Sequence, residues 1–271
     1  MRPFPWLIAH RGAMAEAPEN SRAAFDLAFS YNPDGIEFDV QMTADGIPVV
    51  FHDSTLRRVT GRKDTVADTR FSELAGLDFG KLFSKDFPAQ RIMTLESMLE
   101  SYSGRGVLMI ELKSESGRQN RERYKDSLCR EVVRHIKTNV AQNLLDEIFI
   151  LSFDKDLILR TMQFAPCLKY ILNIKKPQQA RSNDRSNEDL FNHNNFWGYC
   201  LPRRRLRRGF AGQCREKGLH TAIYSCNSSA ELSAGVDLGA DVIMTDDPGR
   251  LADILGSGNV LSCEKHNFAE K

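Results

Sequence analysis

The 271 residues are 41% hydrophobic and 27% charged, and 37 basic against 36 acidic side chains give a formal net charge of +1. That balance allows one large domain of α/β-barrel size and excludes a global field drawing the chain to nucleic acid or an anionic membrane. Six cysteines, at Cys129, Cys167, Cys200, Cys214, Cys226 and Cys263, form no C-x-x-C pair or zinc-like spacing and read as free thiols in a reducing compartment.

Met1 to Pro5 carries two prolines and runs straight into a short apolar strand without a signal-peptide pattern. No apolar run approaches the length of a membrane span, so a cytoplasmic protein is expected. The predicted strands are Trp6 to His10, Gly35 to Val40, Val107 to Lys113, Ile148 to Phe153, Leu168 to Ile174, Phe196 to Leu201, His220 to Tyr224 and Asp241 to Thr245, with helical patterns between them. Ile47 to His52 follows the second strand through an Asp45-Gly46 turn, too short for a parallel crossover, so it is an antiparallel return outside this set. Eight parallel strands alternating with helices predict an α/β fold, a (β/α)8 TIM-type barrel with a hairpin after the second strand; an open doubly wound sheet is the alternative.

Asn20 is expected to cap a helix through Ala23, Phe25, Leu27 and Ala28, and Thr94 one through Leu95, Met98 and Leu99, with Gly104 and Gly106 breaking the chain afterwards. Residues 54–105 are too long for a simple loop and read as a small inserted cap near the active face. Its Phe71, Leu74, Leu77, Phe79, Phe83 and Phe87 are expected to bind the insertion to the barrel, with lining of a substrate pocket as the alternative. The polar segment 175–195 reads as a solvated, flexible loop on the face of the strand C-termini, and the tail 256–271 as flexible. One domain is expected over 1–271.

Glu37 and Asp39 are two residues apart, so on a strand both point to one face while Ile36, Phe38 and Val40 point to the other. Two carboxylates on one face repel unless a cation or shared proton lies between them. A hairpin pairing Thr43 with Ile47 places Phe51 opposite Asp39 and returns His52 to about the height of the carboxylates. His10 and Arg11 end the first strand, and Glu111 and Lys113 repeat the two-residue spacing at the end of the third. Singly, each reads as an ordinary strand-end or ion-paired residue; their convergence on one end of consecutive strands points to a site. Three acidic residues suit a hard cation, Mg2+ or Ca2+, with Mn2+ also considered, and nothing has the spacing of a zinc site.

The chain resembles the glycerophosphodiester phosphodiesterases through His10-Arg11-Gly12, Pro18-Glu19-Asn20-Ser21, Glu37-Phe38-Asp39-Val40, Asp45-Gly46 and Pro48-Val49-Val50-Phe51-His52-Asp53. The likeness continues through Leu77-Asp78-Phe79-Gly80, Thr94-Leu95-Glu96, Glu111-Leu112-Lys113, Leu151-Ser152-Phe153, Gly239-Ala240-Asp241 and Met244-Thr245-Asp246-Asp247-Pro248. The resemblance implies a metal-dependent barrel enzyme that hydrolyses glycerophosphodiesters to glycerol 3-phosphate and an alcohol. It further implies His10 and His52 as general acid and base, Glu37, Asp39 and Glu111 as ligands of one divalent cation, and Arg11 and Lys113 as phosphate contacts. Tyr224-Ser225-Cys226-Asn227 stands where the family commonly has a Trp-Thr-Val-Asn-like strand end, so Tyr224 keeps an aromatic wall of altered size and polarity, while Asn227 either reaches the pocket or ends the strand. The implied partner is a small-molecule glycerophosphodiester. The alternatives are a lysophospholipase D or related phosphodiesterase acting on lipids, which needs an apolar entry surface, and a silent barrel that binds phosphorylated ligands.

Pro202-Arg203-Arg204-Arg205-Leu206-Arg207-Arg208 concentrates positive charge where a helix begins, against the helix dipole. With near-neutral total charge it reads as a solvated face rather than a lipid or nucleic-acid surface. The motifs leave open the preferred alcohol and the oligomeric state.

Overall fold

Alternating apolar strands and amphipathic helices bury both faces of a parallel sheet, and here the sheet closes on itself. The computed structural model describes residues 5–84, 86–114, 121–175 and 196–251. The polar segment beyond Lys175 and the tail 256–271 lie outside the described residues. The strands are β1 (Trp6–His10), β2 (Gly35–Met42), β3 (Pro48–Val50), β4 (Val107–Leu112), β5 (Ile148–Ser152), β6 (Lys169–Asn173), β7 (Gly198–Pro202), β8 (His220–Tyr224) and β9 (Val242–Thr245). Their order is β1-β9-β8-β7-β6-β5-β4-β2-β3, and a further β1–β2 pairing closes the eight parallel strands into a barrel. β3 stands outside that ring, antiparallel to β2.

The helices are α1 (Arg22–Ser30), α2 (Arg57–Thr60), α3 (Phe71–Leu74), α4 (Leu95–Tyr102), α5 (Arg121–Asn139), α6 (Lys155–Phe164), α7 (Arg208–Glu216) and α8 (Ser229–Asp237). α5 shows how the outer layer is specified: Tyr124, Leu128, Val132, Val133 and Ile136 recur at helical spacing and are buried. Phe25 of α1 packs edge-on against Phe38 of β2 and Tyr102 of α4, with centroids 6.2 and 5.6 Å apart. Each such buried ring stabilises the fold by ~1.5–3 kcal/mol. Inside the barrel, Ile8, Met109, Phe149, Leu151, Ile171, Ala222 and Met244 fill the lumen below the strand C-termini. The barrel is therefore a packed core with its polar residues at one end. No helix of the described residues is long and apolar enough to cross a membrane.

The length of β2 creates the site's topology. Its first residues pair with β1, Ile8 to Gly35 through His10 to Glu37, whereas its last three pair with β3, Val40 to Val50 through Met42 to Pro48. The expected hairpin register holds: Thr43 N–H donates to Ile47 O and Phe51 N–H to Asp39 O, both at 3.0 Å. Alternation along the returning chain sends Phe51 one way and His52 the other. Phe51 enters a satellite core with Val49, Leu56, Val66, Leu74, Phe79 and Ile92, built largely from the insertion. None of the insertion's phenylalanines lines the central pocket; Leu74 and Phe79 are buried in this satellite core, Phe71 and Leu77 pack against it, and Phe83 is exposed. The insertion thus props the hairpin that carries His52.

Thr94 caps α4, its hydroxyl accepting from Ser97 N–H at 3.1 Å, as expected. The expected cap at Asn20 is corrected. Ser21 caps α1 by accepting from Ala24 N–H, while Asn20 adopts a left-handed φ of 55° and turns its amide toward β2. The amide is better used there, since a buried carboxylate needs a donor more than a helix end that Ser21 already serves.

Candidate active site

In parallel strands, residues in register point the same way, so the pairings His10–Glu37 and Asp39–Glu111 set one histidine and three carboxylates around the lumen's open end. Glu37, Asp39 and Glu111 are all buried and offer oxygens that lie within 4.8 Å of one another. Glu37 and Glu111 bound a cavity of about 230 Å3 that His10, Arg11, His52, Lys113, Phe153, Asn173 and Tyr224 also line. Leu151, Cys200 and Met244 form its apolar floor and wall.

Like charges at this spacing cannot all ionise cheaply. Burial, reinforced by Asp39 and Glu111, raises the Glu37 carboxyl well above its ordinary value. Asp39 moves the other way: burial opposes ionisation, but Lys113, Arg11 and the Asn20 amide outweigh it and hold the carboxyl below the carboxylate range. Lys113 Nζ lies 3.2 Å from Asp39 Oδ1 and 2.7 Å from Glu111 Oε1, while Arg11 Nε lies 3.1 Å from Asp39 Oδ2. Asn20 Nδ2 donates to Asp39 Oδ2 at 3.0 Å, and Asn173 Nδ2 to Glu111 Oε2 at 2.9 Å. Glu37 has the least compensation, receiving Arg11 N–H at 3.2 Å and facing His10 Nε2 at 3.8 Å.

Both histidines are held by carboxylates through Nδ1. His10 Nδ1 is 2.7 Å from Asp246 Oδ1, and Asp246 Oδ2 accepts from Asn227 Nδ2 at 2.6 Å. Asn227 Oδ1 in turn accepts Asp246 N–H at 2.9 Å, so Asn227, which lies beyond the strand end at Tyr224 and outside the cavity lining, holds Asp246 behind His10. His52 Nδ1 is 2.7 Å from Asp53 Oδ1, and Arg58 clamps Asp53 through Nε at 2.6 Å while bridging to Glu19. Gln41 Nε2 donates to both carbonyls flanking His52, Phe51 O at 3.0 Å and Asp53 O at 2.8 Å. Burial raises Asp246 and Asp53, but the histidine bonds, with Asn227 and Arg58 respectively, dominate and hold both below the ordinary range. An ionised carboxylate at Nδ1 fixes the proton there and leaves Nε2 as the working nitrogen.

A second acidic group, Glu19, His52 and Asp53, also converges. Arg58 already fills the space between its carboxylates, so it is charge-compensated without an ion. Backbone conformation marks the functional rim as well. Of the four non-glycine residues at positive φ among the described residues, Arg11 and Ser225 line the pocket and Asn20 bonds to Asp39. Gly12, at φ 80°, turns the chain after His10 and Arg11, and a Cβ there would lie 2.6 Å from the Ala24 carbonyl carbon.

Seven of the eight side chains singled out in the sequence line this cavity, and the eighth, Asp39, is buried outside its lining, paired with Arg11 and Lys113. Asp246, Asp53, Gln41 and Asn173 were not singled out as site residues. Asp246 follows the last barrel strand and Asn173 ends β6, the fifth strand of the ring, so the strand-end argument applied to the first three strands finds both when carried around the ring.

The family model described as glycerophosphoryl diester phosphodiesterase family matches residues 10–250. The Bacillus subtilis protein YhdW is 32% identical over 246 residues, covering 90% of this chain and 95% of that protein. The glycerophosphodiester phosphodiesterase of Caldanaerobacter subterraneus subsp. tengcongensis is 29% identical over 257 residues, 93% and 98% of the two chains. Among solved structures, a phosphodiesterase from Oleispira antarctica in complex with the product sn-glycerol-3-phosphate superposes with a TM-score of 0.82 at 24% identity, covering 93% of this chain and 97% of that one.

Proposed function

This chain belongs to the glycerophosphoryl diester phosphodiesterase family and is an enzyme of that class, and on that premise we propose that it cleaves glycerophosphodiesters to glycerol 3-phosphate and an alcohol, with His10 and His52 as acid and base beside one divalent cation. The observation carrying this reading is the pairing of two carboxylate-backed imidazoles with a buried three-carboxylate cluster around one cavity.

The residues fit a hard cation. Glu37, Asp39 and Glu111 offer only oxygen donors, Glu37 is short of positive charge, and the buried Asn173 Oδ1 has no hydrogen-bond partner. Such an ion, Mg2+, Ca2+ or Mn2+, when bound neutralises charge on a phosphate oxygen and acidifies a neighbouring hydroxyl. The chain's own groups do the rest. Arg11, with a planar fork, and Lys113, as a compact charge, hold the phosphate. One histidine takes a proton at Nε2 from the attacking hydroxyl, and the other gives one from Nε2 to the departing alcohol oxygen. If a glycerol hydroxyl attacks, a cyclic glycerol phosphate forms and water opens it.

A lipid substrate needs an apolar approach, and the exposed Leu82 and Phe83 lie outside the residues lining the central cavity; the small polar substrate is favoured. Release of glycerol 3-phosphate from a panel of glycerophosphodiesters and lysolipids, with chelator and with added Mg2+, Ca2+ or Mn2+, tests the reading. Metal-restored turnover of the small diesters is expected; chelator-insensitive turnover, or none across the panel, contradicts it.

A further inference from the structure

The seven residues Pro202 to Arg208 do not form one solvated basic face. β7 ends at Pro202, and Arg203–Arg205 form a single 3-10 turn on the barrel rim before α7 begins at Arg208. Leu206 is buried, and Arg207 Nη1 donates to Arg204 O at 2.9 Å and to Leu206 O at 2.8 Å, pinning the turn. The turn's three arginines, with Lys175, line a concavity of about 580 Å3 whose wall includes Tyr224 and Ser225. Those two residues also line the catalytic cavity, so the two spaces adjoin across them.

The charge in this concavity is unbalanced. Its carboxylate, Glu231, pairs with Arg203 Nη2 at 3.0 Å and accepts Asn227 N–H at 2.9 Å. Among the described residues, neither Arg204 nor Arg205 pairs with a carboxylate, and Lys175 lies with Nζ 4.4 Å over the ring of Phe153, itself a wall of the catalytic cavity. Arg203 Nε is buried without a hydrogen-bond partner. A phosphodiester has two arms. Glycerol is small and neutral and suits the 230 Å3 cavity, whereas the wider basic concavity suits the variable arm.

We propose that this concavity is the subsite for the departing alcohol and that Arg204, Arg205 and Lys175 select alcohols bearing an anionic group, a carboxylate or a phosphate. The proposal rests on the phosphodiesterase reading above and adds the substrate class. Cations beside a low-dielectric wall favour an anionic arm and disfavour a quaternary ammonium, and planar guanidinium forks match carboxylate and phosphate oxygens.

The test is a ratio on one preparation: kcat/KM for glycerophosphoglycerol phosphate, whose terminal group is a phosphate monoester, divided by kcat/KM for glycerophosphocholine. Any loss of folded enzyme cancels. In the parent protein the ratio is expected to exceed tenfold at low ionic strength and to shrink with added salt. In R204Q/R205Q it is expected to fall at least fivefold, and R204K/R205K, which keeps the charge, to retain most of it. A parent ratio near or below one, or a ratio unchanged in R204Q/R205Q, overturns the subsite while leaving the hydrolase intact. Absence of glycerol 3-phosphate release from both esters overturns the underlying reading instead, and the subsite with it.

Discussion

His10 and Asp246 stand on neighbouring strand ends, one residue beyond the last β1–β9 pair, Ala9 with Thr245, and this register brings His10 Nδ1 to 2.7 Å from Asp246 Oδ1. The carboxylate accepts a hydrogen bond from Nδ1–H and leaves Nε2 facing Glu37 and the cavity. Asp246→Asn keeps the shape but removes the anionic acceptor. It is expected to lower kcat by about 10²- to 10⁴-fold with KM little changed. Steady-state kinetics across pH checks this, and a kcat within threefold of the parent value contradicts it.

Glu37 carries the least compensated buried charge in the cluster. Its folded state holds a proton more tightly than the unfolded chain, so ionising it costs stability that grows as pH rises above the ordinary glutamate range. Glu37→Gln is therefore expected to raise the melting temperature of chelator-treated protein at pH 8 by roughly 2–4 °C, about 1 kcal/mol, and by less at pH 5. The same change is expected to weaken divalent-cation binding and turnover. A lower melting temperature than the parent protein in chelator speaks against the cluster's repulsion.

Gln41 bonds to both carbonyls that flank His52. Gln41→Met preserves volume but leaves two acceptors without a donor, at a cost of about 1–3 kcal/mol each if both stay dry. Denaturant unfolding is expected to show a loss of roughly 2 kcal/mol, accompanied by a fall in kcat as the hairpin loosens. Unaltered stability and rate together place the orientation of His52 elsewhere.

Much of this arrangement is legible in the chain. The eight strands follow from apolar runs, and the register of the β2–β3 hairpin follows from Asp45-Gly46 alone, because side-chain alternation has a period of two. What escaped depends on long-range closure. Asp246 is 236 residues from His10, and no local pattern says that the last strand returns to the first. The sequence neighbourhood of Asn20 fits a helix cap, yet Ser21 serves equally well and Asp39 has a stronger claim on the amide. The arginine run gave its charge but not its shape, since only the 3-10 turn places three guanidinium groups on one concave wall.

Asp53 is held below the ordinary carboxylate range against burial, by bonds from His52 and Arg58. A depressed folded pKa gives a contribution fully present above the unfolded value, about 3.9, and lost as pH falls through the folded value. Asp53→Asn should therefore destabilise the protein at neutral pH, with the difference from the parent shrinking below about pH 4. Chemical denaturation at several pH values measures this; a difference that widens in acid contradicts the assignment.

The central claim separates cation binding, assigned to Glu37, Asp39 and Glu111, from proton transfer, assigned to His10 and His52. Calorimetric titration of His52→Ala with Mg2+, Ca2+ or Mn2+, run beside glycerol 3-phosphate release by the same sample, tests it most directly. The expected result is cation affinity within a few-fold of the parent protein and turnover reduced at least a hundredfold, within the range general acid–base catalysis contributes. Turnover within tenfold of the parent value in that variant, or full turnover by parent protein stripped of divalent cations, contradicts the account.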